Sequence, residues 1–129
     1  MELDTVLVPI AGTDTSATAI EYAVAIAEQY EARIHALYVL DSEEAEDRGE
    51  QLMVATRAAA DDVPLSYSSM YGFSTEHLTH HPGSVVLDVS DEVNADCIVI
   101  PRAQGRSAGA LGMAASYVVQ YASEPVLSV

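Results

Sequence analysis

Asp96-Cys97-Ile98-Val99-Ile100-Pro101-Arg102-Ala103-Gln104-Gly105-Arg106-Ser107, followed by Gly109, Gly112 and the closing Glu124-Pro125-Val126-Leu127-Ser128-Val129, decides the fold. Residues 97–100 are a short, wholly apolar run, as expected of a strand buried on both faces of a parallel sheet. Glycines interrupt the pattern after it. Leu111, Ala114, Tyr117, Val118 and Tyr121 then recur at helical spacing before a last apolar run. A strand that enters a glycine loop and a helix start is suited to holding phosphate. The loop leaves backbone N–H groups free, and the helix dipole favours negative charge.

Working back from this stretch, the same alternation covers the rest of the chain. Thr5–Ile10 is a continuous apolar run that predicts a buried strand. The segment from Ala11 to Ser16 is turn and cap chemistry, with Gly12 and then Thr13, Asp14, Thr15 and Ser16 as acceptors for the first helical N–H groups. Ile20, Ala23, Val24 and Ala27 predict a helix to about Tyr30, with Glu21 and Glu28 off the stripe. Arg33–Leu40 is a second buried strand. The acids of 41–50 suit a solvated loop and helix start, and a second helix is expected over 44–60. Residues 64–71 alternate as a half-exposed edge strand does. Residues 72–81 are polar, rich in Thr and His, and have no legible period. Val85, Val86, Val89 and Val93 give a third helical face. Five strands thus alternate with four helices in one domain, 1–129. The expected class is α/β: a doubly wound, five-stranded parallel sheet with helices on both faces.

Composition narrows the function. The chain has 129 residues, half of them hydrophobic, enough for one domain with a real core. No apolar run approaches the roughly 18 residues of a membrane span. The first ten residues have no basic region and carry acids, unlike a secretory signal. Cys97, the single cysteine, lies in an apolar strand and is read as a small buried hydrophobe. The expected location is the cytoplasm. Twenty acids face five arginines and no lysine, for a formal charge of −15. Such charge strains a compact chain unless concentrated salt cuts the Debye length to about 3 Å. The acidity is therefore taken as a halophilic habitat, not a basic partner. With no basic patch, nucleic acid is not expected as a partner.

From end to end the chain resembles the universal stress protein family. Val6-Leu7-Val8-Pro9-Ile10 is similar to the family's opening I-L-V-P-V strand, and Gly12-Thr13 to its D-G-S turn without the Asp. Ala19-Ile20-Glu21-Tyr22-Ala23 is similar to A-L-x-x-A, and the 32–41 segment to A-x-L-x-L-L-H-V-x-D. Pro82 and Val86 fit the G-x-P-x-x-x-I entry to the third helix, with His80 in place of the glycine. The 95–100 and 125–129 segments fit A-D-L-I-V-M and P-V-L-V-V. No single match is specific, but their order and spacing are. The resemblance implies the sheet order 3-2-1-4-5, the adenine-nucleotide alpha-hydrolase-like arrangement. It also implies a nucleotide site and dimerisation through the last strand.

The departures fall on that site. Relatives that bind nucleotide follow the first strand with an Asp and carry the loop G-x2-G-x9-G-[S/T]. Here Ala11 takes the Asp position, and Pro101 or Arg102 that of the first glycine. From Gly105, one register ends the loop early at Gly112-Met113, without the hydroxyl. The other keeps the spacing but places Ala115-Ser116 there and shortens the last helix. The first is preferred because it preserves helix and strand lengths. If the site works, its candidate residues are Ile10, Ala11, Gly12, Val39, Ile100, Arg102, Gly105, Ser107, Gly112 and Met113. Their ligand would be ATP or AMP with a divalent cation. Against a triphosphate, Pro101 offers no N–H, and the favoured reading is that the glycines only let the loop turn.

Other constellations are weaker. His77, His80 and His81, with Glu76, match no closed metal spacing. No G-x-S-x-G elbow marks a hydrolase. Three functions stay open: a homodimeric stress-response module with a degenerate nucleotide site, acting through protein contacts or a small ligand; an adenine-nucleotide-binding regulator; and, third, a weak ATPase. No catalytic residue or certain cofactor is assigned. The last strand, with Val126, Leu127 and Val129, is expected to form an exposed sheet edge that pairs with a second copy.

Overall fold

The computed structural model describes residues 2–10, 14–40, 45–71, 82–101 and 109–129. Strands and helices alternate as β1 (Thr5–Ile10), α1 (Asp14–Tyr30), β2 (Arg33–Leu40), α2 (Ala45–Ala60), β3 (Leu65–Tyr71), α3 (Pro82–Val93), β4 (Cys97–Ile100), α4 (Gly109–Tyr121) and β5 (Val126–Ser128). All strand pairs are parallel, in the order β3-β2-β1-β4-β5. The doubly wound sheet is as the alternation predicts. The stretch 72–81, without period in the sequence, lies outside the described residues.

A continuous apolar strand supplies both faces of such a sheet, because successive side chains point to opposite sides. In β1, Val6, Val8 and Ile10 join Ile34, Ala36 and Tyr38 of β2 and Cys97 and Val99 of β4 beneath α1. That helix contributes Ala19, Ile20, Ala23 and Ala27, and Met53 of α2 packs against the same cluster. On the other face Leu7, Leu37, Ile98 and Ile100 meet Val86 of α3 and Ala114, Ala115 and Val118 of α4. The α1 stripe read from the sequence is buried at Ile20, Ala23 and Ala27, while Val24 is half-buried.

Helix ends and strand starts are held by specific bonds. Glu31, Asp61 and Asn94, which follow α1, α2 and α3, have φ of 55°, 52° and 53°. Beyond two of them the chain folds back, with Ala32 N–H donating to the Ala27 carbonyl and Ala95 N–H to the Ser90 carbonyl, both at 2.9 Å. This is the left-handed helix stop that glycine usually makes. The Asp96 carboxylate accepts the N–H groups of Asp4 at 2.9 Å and Thr5 at 3.1 Å. Its own N–H donates to the Thr5 carbonyl at 2.8 Å. The entry to β4 is thereby tied to the entry to β1, its neighbour and the central strand of the sheet.

The helices of the second face approach closely. At Gly83, in the first turn of α3, an added Cβ would crowd the Cβ of Tyr117 and lie 2.6 Å from its Cγ. Glycine there lets α3 lie directly on α4. β3 and β5 form the two sheet edges. On β5 only Leu127 is exposed, at 37%. Val126 and Val129 are half-buried against opposite faces, a correction to an edge strand showing all three.

Candidate functional site

In an open, doubly wound sheet the ligand crevice lies at the carboxyl ends of the strands where the winding reverses. Here β1 continues through α1 on one face, β4 continues through α4 on the other, and the two strands are neighbours. The crevice therefore lies above Ile10 and Ile100. Both side chains are fully buried, Ile10 beneath α1 and Ile100 beneath α3 and α4. They are core residues that fix where the strands end. The Ile100 carbonyl is already engaged by the Val129 N–H at 3.0 Å, and the buried Pro101 follows it.

Of the other candidates, Val39 is in the last part of β2, in register with Met70 of β3. Ala11, Gly12, Arg102, Gly105 and Ser107 lie outside the described residues. Gly112 and Met113 are inside α4, which begins at Gly109. This corrects the loop reading. At the fourth and fifth helical positions their N–H groups bond within the helix, and the orphan donors of the first turn belong to Gly109, Ala110 and Leu111. Ala115 and Ser116 are deeper in the same helix, Ala115 buried and Ser116 exposed. Neither register of the glycine motif ends at the helix start. Sequence reasoning overlooked Gly109 as that start.

Two further features surround the sheet. His35, buried in β2, bonds to Ser66 Oγ through Nδ1 and to Ser68 Oγ through Nε2, both at 2.8 Å. The pair of serines one repeat apart on edge strand β3 fixes the ring. Burial lowers the pKa of His35 from its usual value of 6.5. At the opposite end of the sheet, a cavity of about 290 Å³ is lined by Glu28, Glu31, Asp61 and Asp62 with Ala27, Ala32, Val63 and Pro64. Four carboxylates at two helix carboxyl ends make it unsuited to phosphate. The Cys97 thiol is buried, and burial with the nearby Asp96 raises its pKa, so it is a poor nucleophile. Among the described residues no group of three or more His, Cys, Asp or Glu is placed to hold a metal ion. The set Glu76, His77, His80 and His81 lies outside them. No helix among the described residues is long and apolar enough to cross a membrane.

Known structures repeat this arrangement. A universal stress protein in complex with cAMP is 22% identical, with a TM-score of 0.74, over 100% of this chain and 98% of that one. A protein of the same family from Burkholderia pseudomallei is 18% identical, with a TM-score of 0.76, over 98% of this chain and 96% of its own. The universal stress protein of Archaeoglobus fulgidus in complex with dAMP is 16% identical, with a TM-score of 0.72, over 99% and 98% of the two chains. No curated protein is significantly similar in sequence. Likeness at these identities establishes the fold. The sequence profile of the universal stress protein family adds to it by matching residues 2–129, from the first strand to the last. With strand order, helix placement and profile in agreement, this chain belongs to the universal stress protein family.

Proposed function

We propose that the chain is a homodimeric stress-response module of the cytoplasm, not an enzyme, whose nucleotide site has lost its hold on ATP. It acts through protein contacts or a small ligand. The observation that carries this reading is the start of α4 at Gly109, which takes Gly112 and Met113 into the helix. A triphosphate needs converging N–H groups, a hydroxyl and a cation to offset its charge. Here the glycine-hydroxyl pair that ends the family loop is absent, Ala11 replaces the acidic residue, and Pro101 lacks an N–H. Calorimetric titration with ATP and Mg²⁺ in molar KCl should give binding weaker than about 100 μM, under about 5.5 kcal/mol. Low-micromolar affinity refutes the reading and assigns Gly105, Ser107 and the first turn of α4 to phosphate.

A second reading is favoured by the neighbours seen with cAMP and dAMP. A single phosphate needs fewer donors than three, and the N–H groups of Gly109, Ala110 and Leu111 can supply them. On this reading the chain is an adenine-nucleotide-binding regulator. AMP and cAMP in the same titration decide between the two: saturable binding tighter than ATP supports the second.

The absence of lysine and the 20 acids support work in concentrated salt, where charge repulsion is screened. An unfolding midpoint that rises steadily with KCl up to molar concentration is the expected mark. The dimer is tested by light scattering in molar KCl. There, deletion of 126–129 should give monomer or aggregate.

A further inference from the structure

Backbone pairing at the β3 edge fixes which of its groups are already used. The Ile34 N–H donates to the Pro64 carbonyl at 2.9 Å, and the parallel register runs without a break from Ile34 opposite Leu65 to Leu40 opposite Tyr71. In a parallel pair, residues bonded to the neighbouring strand alternate with residues whose N–H and C=O point away from it. Ser66, Ser68 and Met70 therefore bond to β2. Leu65, Tyr67, Ser69 and Tyr71 turn their N–H and C=O groups outward, and among the described residues none pairs with that row.

Edge strands are normally guarded by shortness, a charge, a proline or a bulge. β3 has none of these. It spans 7 residues, about 20 Å of extended chain, with no bulge in its register. In a chain with 20 acids, the run from Leu65 to Tyr71 has no charge and no proline. Ser66, Tyr67 and Ser69 are exposed. The strand is also held from both faces. Leu65 packs against the α1 cluster, and the Tyr67 ring stands edge-on to the buried Tyr38, with centroids 6.1 Å apart. On the other face His35 grips Ser66 and Ser68. An edge fixed in this way loses little freedom when a further strand is added.

Charge selects the partner. Asp61 and Asp62, both exposed, lead into β3 and line the acidic cavity together with Glu28 and Glu31. The edge is neutral, but the end at which it begins is acidic. A second copy would bring a charge of −15 to that end and be repelled. A basic side chain there meets carboxylates at two helix carboxyl ends, where the helix dipole adds to the attraction. We propose that β3 accepts an extended, basic-ended peptide of another protein as a sixth strand. Its backbone pairs with Leu65, Tyr67, Ser69 and Tyr71, and a Lys or Arg at its end lies beside Asp61 and Asp62. This rests on the reading that the chain works through protein contacts; the ATP titration tests the nucleotide part of that reading separately.

The test is a titration of isotope-labelled protein followed by amide NMR, at the lowest KCl that keeps the protein folded, so that charge is not fully screened. The probes are peptides of alternating Thr and Val with a pair of lysines at the amino end or at the carboxyl end, because either strand direction can pair. One of them should bind saturably and shift the amide signals of Leu65, Tyr67, Ser69 and Tyr71. Glutamates in place of the lysines should weaken binding about tenfold or more. Asp61→Asn with Asp62→Asn should remove most of that difference. Ser69→Pro takes away an outward N–H and spares the β2 ladder, as a proline on an edge can. It should keep the circular dichroism spectrum and abolish binding. N-methylating the peptide on the residues that face β3 should also abolish it, and needs no variant to fold. If neither lysine peptide saturates by millimolar concentration, or if Ser69→Pro and the N-methylated peptide bind as tightly as the originals, the edge is not a docking site. If the glutamate peptide binds as well as the lysine peptide, the basic partner is wrong.

Discussion

Replacing Gly83 with alanine adds one carbon where α3 has no room for it. Tyr117 Cγ would lie 2.6 Å from the new Cβ, and Tyr117 Cβ is also in the way. Carbon atoms in contact sit about 3.5–4.0 Å apart, so α3 must withdraw by roughly 1 Å or more at this point. A new rotamer of Tyr117 moves the ring but not its Cβ, which is fixed to the α4 backbone. Overpacking of this kind costs about 1–3 kcal/mol. The helix propensity of alanine returns at most about 1 kcal/mol, less in a first turn. A net loss of about 1.5 kcal/mol is expected, a fall in Tm of roughly 5–8 °C for a chain of this size. Thermal and urea unfolding in molar KCl measure it. Tyr117→Gly removes the obstructing Cβ, so in that background G83A should cost nothing, a coupling of about 1 kcal/mol or more in the double-mutant cycle. A G83A protein as stable as wild type refutes the close crossing of α3 and α4.

Three further outcomes follow from single residues. Burial lowers the His35 pKa, so the unfolded chain binds the proton more readily. The stability held above about pH 6.5 is then lost as pH falls through 6.5 toward the lower folded value, and urea midpoints should show this slope in wild type and lose it in His35→Gln. Asp96→Ala removes the acceptor for two backbone N–H groups and should destabilise by about 2–3 kcal/mol in the same assay. Glu31→Gly, at φ 55°, should raise Tm by relieving about 1 kcal/mol of left-handed strain.

The elements best read from sequence are those whose burial is local in its signature. β1 and β4 are buried along their whole length, so they appear as unbroken apolar runs, and the α1 stripe appears at its 3.6-residue period. The start of α4 was not legible because Gly109 and Gly112 resemble loop punctuation. The helix nevertheless extends back to Gly109, where Ala114, Ala115 and Val118 bury against the sheet and hold its axis. Packing outweighs the cost of about 1 kcal/mol for each glycine in a helix. His35 and Gly83 were hidden for another reason. Their partners, Ser66 with Ser68 and Tyr117, are more than 30 residues away, and nothing near either residue signals the pairing. The candidate phosphate loop is the remainder. Ala11, Gly12, Arg102, Gly105 and Ser107 fall outside the described residues, so the site rests on the strand ends and helix start that flank them.

The physical logic of the site can be separated from the family to which the chain belongs. Parallel order and right-handed crossovers place a crevice above β1 and β4 whatever residues line it. Binding then depends on charge. Phosphate approaching this chain meets a protein of formal charge −15, whereas the first turn of α4 offers the opposite sign, with Arg102 and Arg106 before it in sequence. Salt that screens the long-range repulsion also screens the attraction between exposed charges. Short backbone N–H contacts are affected far less. In molar salt the discrimination between one phosphate and three should therefore rest on donor geometry more than on net charge. If AMP and ATP bind equally in molar KCl but AMP binds better when KCl is lowered, electrostatic repulsion, and not donor geometry, is what disfavours a triphosphate here.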